Sequence, residues 1–245
     1  METNKFIDIC KEEIVKYLDV DRTNKLSNQA IINYMQDIAV SHADSLGNGL
    51  NNEPETHTAW LLLNWKVRVF DRPKCEDKLK INTWPREMEK CYSWRDFEIY
   101  NGKKLVAIAT SKWVFVNSET ERIMRVPPEL KEKYGENDRC VFKEEIIDKL
   151  KEPEGLKLAY EETIGRTKID TNNHLNNLYY LDYAIESLPE EVYQNNTFNN
   201  IEIMYKKEIK YKDKIKCLYK CENNEHIVVI KSEDLNTLHA IIKLS

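Results

Sequence analysis

The feature that most constrains this chain is that its sequence contains itself twice. DRTNKLSNQAIINYMQDIA, starting at Asp21, lies over DTNNHLNNLYYLDYAIESL, starting at Asp170, at a shift of 149 residues. In that register Asp21 meets Asp170, Asn24 meets Asn173, Leu26 meets Leu175, Asn28 meets Asn177 and Tyr34 meets Tyr183. An alternating segment precedes each copy, EEIVKYLDV in the first and LAYEETIGRTKI in the second. Ile31, Tyr34, Met35 and Ile38 recur at helical spacing, as do Leu178, Leu181, Ile185 and Leu188, after which Pro189 stops the helix. Strand-like runs follow each helix: TAWLLLNWKVRVF, DKLKINTW, SWRDFEIY and KLVAIATSKWVFV in the first copy. NNIEIMYKKEIKY, DKIKCLYK, HIVVIKSE and TLHAIIKLS follow in the second. Asn101-Gly102 marks a hairpin. DKLKI at Asp77 and DKIKC at Asp213 also echo each other, now at a shift of 136 residues.

Each half therefore predicts a strand, a helix and about four antiparallel strands. A single helix covers a long sheet only by lying across its face. The expected fold is α+β, a sheet wrapped around a long helix, twice, with the two sheets joined edge to edge into one pseudo-symmetric sheet. The boundaries expected are an N-terminal domain over 1–127, a charged, Pro-bounded and partly helical connector over 128–155, and a C-terminal domain over 156–245.

Composition narrows the function classes. With 245 residues, 41% of them hydrophobic, the chain can build a substantial core. A net charge of −5 argues against a general nucleic-acid binder. No apolar run has spanning length, so no membrane insertion is expected. The opening METNKFIDICKEE has no apolar core, so neither a secretory signal nor a transit peptide is expected. The six cysteines are widely spaced and read as reduced thiols of a cytoplasmic protein. Only six glycines are present, and no Gly-rich phosphate loop is among them.

The copies differ where chemistry could sit. The second reads D-x-N-x-H and the first D-x-T-x-K. If the segment is extended, alternate side chains point the same way. Asp170, Asn172 and His174 would then project together at the start of a helix, where free N–H groups near Asn176 and Asn177 favour a developing oxyanion. The competing reading is that Asp, Asn and His before a helix are capping residues. The residues alone leave both open.

DTNNHLNNLYYLDYAIESLP resembles the second-half signature of the plant and bacterial acyl-ACP thioesterases, D-x-N-x-H-V-N-N-x-x-Y-x-x-W-x-x-E-x-x-P. The likeness covers nearly the whole chain. NYMQDIAVSHADSLG, LNWKVRVFDRPKCEDKLKINTWP, SWRDFEIY and the turn Arg125-Val126-Pro127 with Glu129 resemble further stretches of that family in the same order. The resemblance implies a tandem double hot-dog fold and hydrolysis of fatty acyl-ACP to free fatty acid, with no cofactor and no metal. It implies Asp170, Asn172, His174 and Glu208 as catalytic residues, with Glu208 taken from YKKEIKY on the next strand, in a mostly apolar cleft. Ile209 stands where plant members carry cysteine, so water activated by Glu208, not a cysteine nucleophile, is expected to attack. Backbone N–H groups at Asn176 and Asn177 would hold the oxyanion, and Asp170 would orient Asn172 or His174 or share in activating water.

The partner implied is acyl carrier protein, an acidic protein. Lys206, Lys207, Lys210, Lys212, Lys214 and Lys216 could steer it, or simply face solvent on a strand. The drifted first copy is expected to hold the acyl chain, with Ile31, Met35, Ile38, Leu61 and Leu63 as candidate wall residues. An acyl-CoA thioesterase of the same fold and a non-catalytic acyl-binding protein are the alternatives. A monomer or a homodimer fits the pattern equally.

Overall fold

The computed structural model describes residues 9–142 and 149–245. The chain divides into two compact units, Met1–Ile147 and Asp148–Ser245. The expected connector thus contributes to both: its first part folds as a helix within the first unit, and residues 143–148 lie outside the described residues.

In the first unit β1 (Ile9–Ile14) leads into α1 (Asn28–Ser45), a single helical turn α2 (Glu53–Thr56), then β2 (Thr58–Val69), β3 (Lys78–Glu89), β4 (Tyr92–Asn101), β5 (Lys104–Asn117) and α3 (Pro128–Tyr134). Ser27 caps α1 by accepting from the Ala30 N–H at 3.1 Å. Past its last turn, Gly47 takes φ +75°, where a side chain would be strained. The face of α1 carrying Ile31, Met35 and Ile38 is fully buried, each such side chain contributing about 2 kcal/mol of transfer free energy. All neighbouring strands are antiparallel, in the order β1-β3-β4-β5-β2. The β4–β5 hairpin pairs Asn101 with Lys104, with Gly102 at φ +59° opening the two-residue turn.

A bulge between Leu62 and Asn64 shifts the alternation of β2, so that Leu62 faces in before it and Trp65, Val67 and Val69 after it. This corrects the expected acyl wall: Leu61 is 38% exposed and Leu63 is half-buried at the bulge. The buried leucine of that run is Leu62.

The first unit also buries charge. Arg95 lies on the Nδ1 of His42 at 3.0 Å and the Thr83 hydroxyl at 3.2 Å, with the Tyr134 ring of α3 beside both. Burial, and then the Arg95 charge, push His42 down to about 3, so it is the neutral imidazole that accepts from the guanidinium.

The second unit runs β6 (Lys157–Thr163), α4 (Tyr179–Glu186), α5 (Glu190–Asn195), β7 (Asn200–Tyr205), β8 (Lys214–Glu222), β9 (Glu225–Ser232) and β10 (Leu238–Leu244). Its order, β6-β8-β9-β10-β7, repeats that of the first unit strand for strand, again all antiparallel. Its helix is shorter, and its buried face is Tyr180, Leu181, Tyr183 and Ala184, so Ile185 of the expected stripe is only half-buried. Among the described residues no helix is long and apolar enough to cross a membrane.

Candidate active site

The duplication holds down to single hydrogen bonds. Asp21 N–H donates to Lys25 C=O at 2.8 Å, and Asp170 N–H to His174 C=O at 2.8 Å. Leu26 N–H reaches Pro73 C=O at 2.8 Å, and Leu175 N–H reaches Ile209 C=O at 2.7 Å. The Asp77 carboxylate accepts from Lys74 N–H, and that of Asp213 from Lys210 N–H. Pro73 and Ile209 are therefore equivalent, and Arg72 of the first unit stands where Glu208 stands in the second.

The D-x-N-x-H segment is not extended. Residues 171–173 form a turn with Asn173 at φ +62°, closed between the bridged residues Ile169 and Leu175. Asp170 makes the turn: its Oδ1 accepts from Asn172 N–H at 2.8 Å and from His174 N–H at 3.2 Å. The expected array of three side chains on one side is thus replaced by a carboxylate folded onto its own loop, an exposed Asn172 and a half-buried His174. Asp21 does the same, accepting from Thr23 N–H at 2.8 Å and Lys25 N–H at 3.2 Å. Loop-building is therefore common to both copies, and His174 is what the second adds.

The segment carrying Glu208 reaches this loop because β7 ends early. The run expected to continue as a strand to Tyr211 stops at Tyr205. The chain bends at Lys207 and then pairs with the loop through the Ile209 carbonyl and an antiparallel bridge between His174 and Lys210. Two backbone contacts, at His174 and at Leu175, thus place Glu208 one residue before the pairing.

Beneath the site lies Tyr180, 3% exposed, which corresponds to Ile31 of the first copy. Burial first, and then the charges of Glu208 and Asp170, raise its pKa, so the phenol stays protonated beside both carboxylates. Tyr205 stacks edge-on with centroids 5.2 Å apart and donates its own hydroxyl to Asn177 C=O at 3.1 Å. The family signature contains this tyrosine, but its spacing reads equally as helix core.

The expected oxyanion donors are only partly available. Asn176 N–H donates to Lys168 C=O at 3.0 Å, and the Asn176 side chain accepts from Leu178 N–H at 3.1 Å. Among the described residues the Asn177 N–H has no partner. α4 itself begins at Tyr179 with no side-chain cap.

Glu208 opens into a cleft of about 650 Å³ whose walls include Lys207, Lys210, Asp213, Lys214, Glu233 and His239. Lysine, aspartate and glutamate side chains share its walls with Ser232 and Thr237. Asp170, Asn172 and His174 are not among its lining residues. Ile209 is fully buried, and burial pushes the Cys217 thiol of the same unit up to about 12, far from a thiolate at neutral pH.

The sequence matches two consecutive family descriptions, the acyl-ACP thioesterase N-terminal domain over residues 10–134 and the acyl-ACP thioesterase C-terminal domain over residues 144–243. It is 27% identical over 240 residues to a chloroplastic oleoyl-acyl carrier protein thioesterase of Coriandrum sativum, covering 89% of this chain and 64% of that protein. A second such enzyme, from Arabidopsis thaliana, is 25% identical over 232 residues, covering 88% and 63%. The chain thus spans less than two thirds of the length of these curated relatives. Among solved structures, an acyl-ACP thioesterase from Bacteroides thetaiotaomicron superposes with a TM-score of 0.85 at 20% identity, covering 97% of this chain and 96% of that one. The 12:0-ACP thioesterase of Umbellularia californica does so with a TM-score of 0.85 at 19% identity and the same coverage. At these identities the structures share the fold.

Proposed function

Since the chain belongs to the acyl-ACP thioesterase family, we propose that it hydrolyses the thioester of fatty acyl-ACP, releasing free fatty acid and the carrier thiol. The observation that carries this reading is the difference between the two copies of one loop: equivalent backbones hold Lys25 and Arg72 in the first unit but His174 and Glu208 in the second. A loop that needed only to fold would not require the second pair.

In the proposed reaction Glu208 takes a proton from a water whose oxygen adds to the thioester carbon. His174 and Asn172 hold that water or the carbonyl, and the Asn177 N–H with the start of α4 receives the negative oxygen. The intermediate collapses with cleavage of the C–S bond, and the proton returns to the leaving thiolate. Asp170 keeps the loop in shape. Ile209 at the position of the plant cysteine, and the inert Cys217, support water and not a thiolate as nucleophile. We assign chain-length selection to Ile31, Met35 and Ile38 on the buried face of α1. The six free cysteines support a reducing, cytoplasmic setting.

The test is fatty acid release from a panel of acyl-ACPs and the matching acyl-CoAs, with His174→Ala and Glu208→Gln variants shown to be folded. The parent is expected to turn over acyl-ACP, and each variant to lose about 10²–10⁴-fold in kcat. A parent inert on both carriers would overturn the proposal, and preference for CoA would redirect it to a CoA thioesterase.

A further inference from the structure

We propose that His239 is a positioning residue for Glu208, an inference that rests on Glu208 being the base of the thioesterase reaction. β10 runs antiparallel to β7, and the pairing reaches Lys206, whose N–H donates to His239 C=O at 2.8 Å. One bond lies beyond it: His239 Nδ1 is 2.9 Å from the Lys207 carbonyl. A carbonyl only accepts, so Nδ1 carries the proton. That carbonyl belongs to the peptide whose nitrogen is Glu208's own. The imidazole therefore fixes the peptide plane from which the Glu208 side chain departs, at the bend where the strand has already stopped supporting it. His239 is 5% exposed and lines the same cleft as Glu208.

The first unit shows what this place looks like without a histidine. There Val106 is equivalent to His239 and is fully buried. Its carbonyl accepts from Phe70 N–H at 2.7 Å and also from Asp71 N–H at 3.2 Å, so the backbone pairing itself holds the bend. In the second unit the equivalent Lys207 N–H has no partner among the described residues, and the His239 side chain takes over the hold. One of the two backbone bonds is lost and a side-chain bond is added in the copy that carries Glu208.

The experiment measures kcat and KM on acyl-ACP for the parent, Glu208→Gln, His239→Asn, His239→Gln, His239→Leu and the Glu208→Gln/His239→Leu double variant, each checked by near-UV circular dichroism. An asparagine amide can replace Nδ1–H on the Lys207 carbonyl; a glutamine amide, one methylene longer, mimics Nε2 instead. Expected are a roughly ten- to hundred-fold fall in kcat with KM little changed for His239→Leu and His239→Gln, recovery to within a few-fold in His239→Asn, and no further loss in the double variant beyond Glu208→Gln. Parent-like kcat in His239→Leu overturns the inference. So does recovery by glutamine and not asparagine, or an additive loss in the double variant. If His239→Leu does not fold, the asparagine–glutamine pair decides. A parent inert on every thioester would instead sink the thioesterase reading, while an active parent indifferent to Glu208→Gln would sink the role of Glu208 as base.

Discussion

Asp170 and Asp21 play the same structural part in the two copies, and the proposed chemistry falls on the loop of only one. Each carboxylate accepts two backbone N–H groups of its own loop. Replacing either by alanine is expected to cost about 1–2 kcal/mol in urea unfolding. Only Asp170→Ala is expected to abolish turnover as well, because only its loop carries His174. Equal loss of activity in the two variants would refute the assignment of the chemistry to the second copy. His42 is the other residue with a measurable signature. Its folded pKa, near 3, lies below the ordinary value of 6.5, so between those values the unfolded chain binds the extra proton. Stability from this group is full above pH 6.5 and is lost as pH falls toward 3. Between pH 7 and pH 5 that loss amounts to about 2 kcal/mol. His42→Gln, which keeps an acceptor for Arg95, is expected to flatten that part of the pH–stability curve.

Elements were legible where local pattern and tertiary demand agree. α1 announces itself through a four-residue apolar stripe, while its Ser27 cap emerged from the structure, and Ser27→Ala is expected to cost about 1 kcal/mol. β2 was legible as a strand, but not its facing, because a bulge changes which residues look inward without altering composition. Leu62→Ala is therefore expected to cost about 2–4 kcal/mol, and Leu61→Ala less than about 1 kcal/mol. Equal costs in thermal or urea unfolding would contradict the bulged register. The two elements around the site were read as extended and are not. The D-x-N-x-H segment turns because an aspartate followed by residues free to take a positive φ closes onto its own backbone. The Lys-rich run after Tyr205 leaves the sheet because Ile209 and Lys210 pair with that turn. The first of these carried a signal in the sequence, Asn173 after Asp170. The second did not, since its partner lies about thirty residues away.

At the scale of the whole molecule the repeat is the organising fact. The same strand order, the same capped loop and the same bonds occur twice, and evolution of one copy against the other can be read within a single chain. Arg72, whose guanidinium donates to Leu26 C=O at 3.0 Å and Asn28 Oδ1 at 2.9 Å, ties down the start of α1 where Glu208 opens into a cleft. Arg72→Leu is accordingly expected to cost about 1–3 kcal/mol through those unpaired acceptors, with kcat on acyl-ACP unchanged. A variant of parental stability would show that Arg72 does not tie down the helix. The amino-acid sequence by itself determined the duplication, the element order of each half and the family, because these follow from periodicity and from aligned residue types. Only the tertiary structure decided that the segment carrying Glu208 pairs with the loop carrying His174, that Tyr180 is buried near that pairing and that the His239 side chain bonds the Lys207 carbonyl. Those meetings depend on where β7 stops and on the register of β10 against it, and strand register is set by pairing between residues remote in the chain, which no local pattern records.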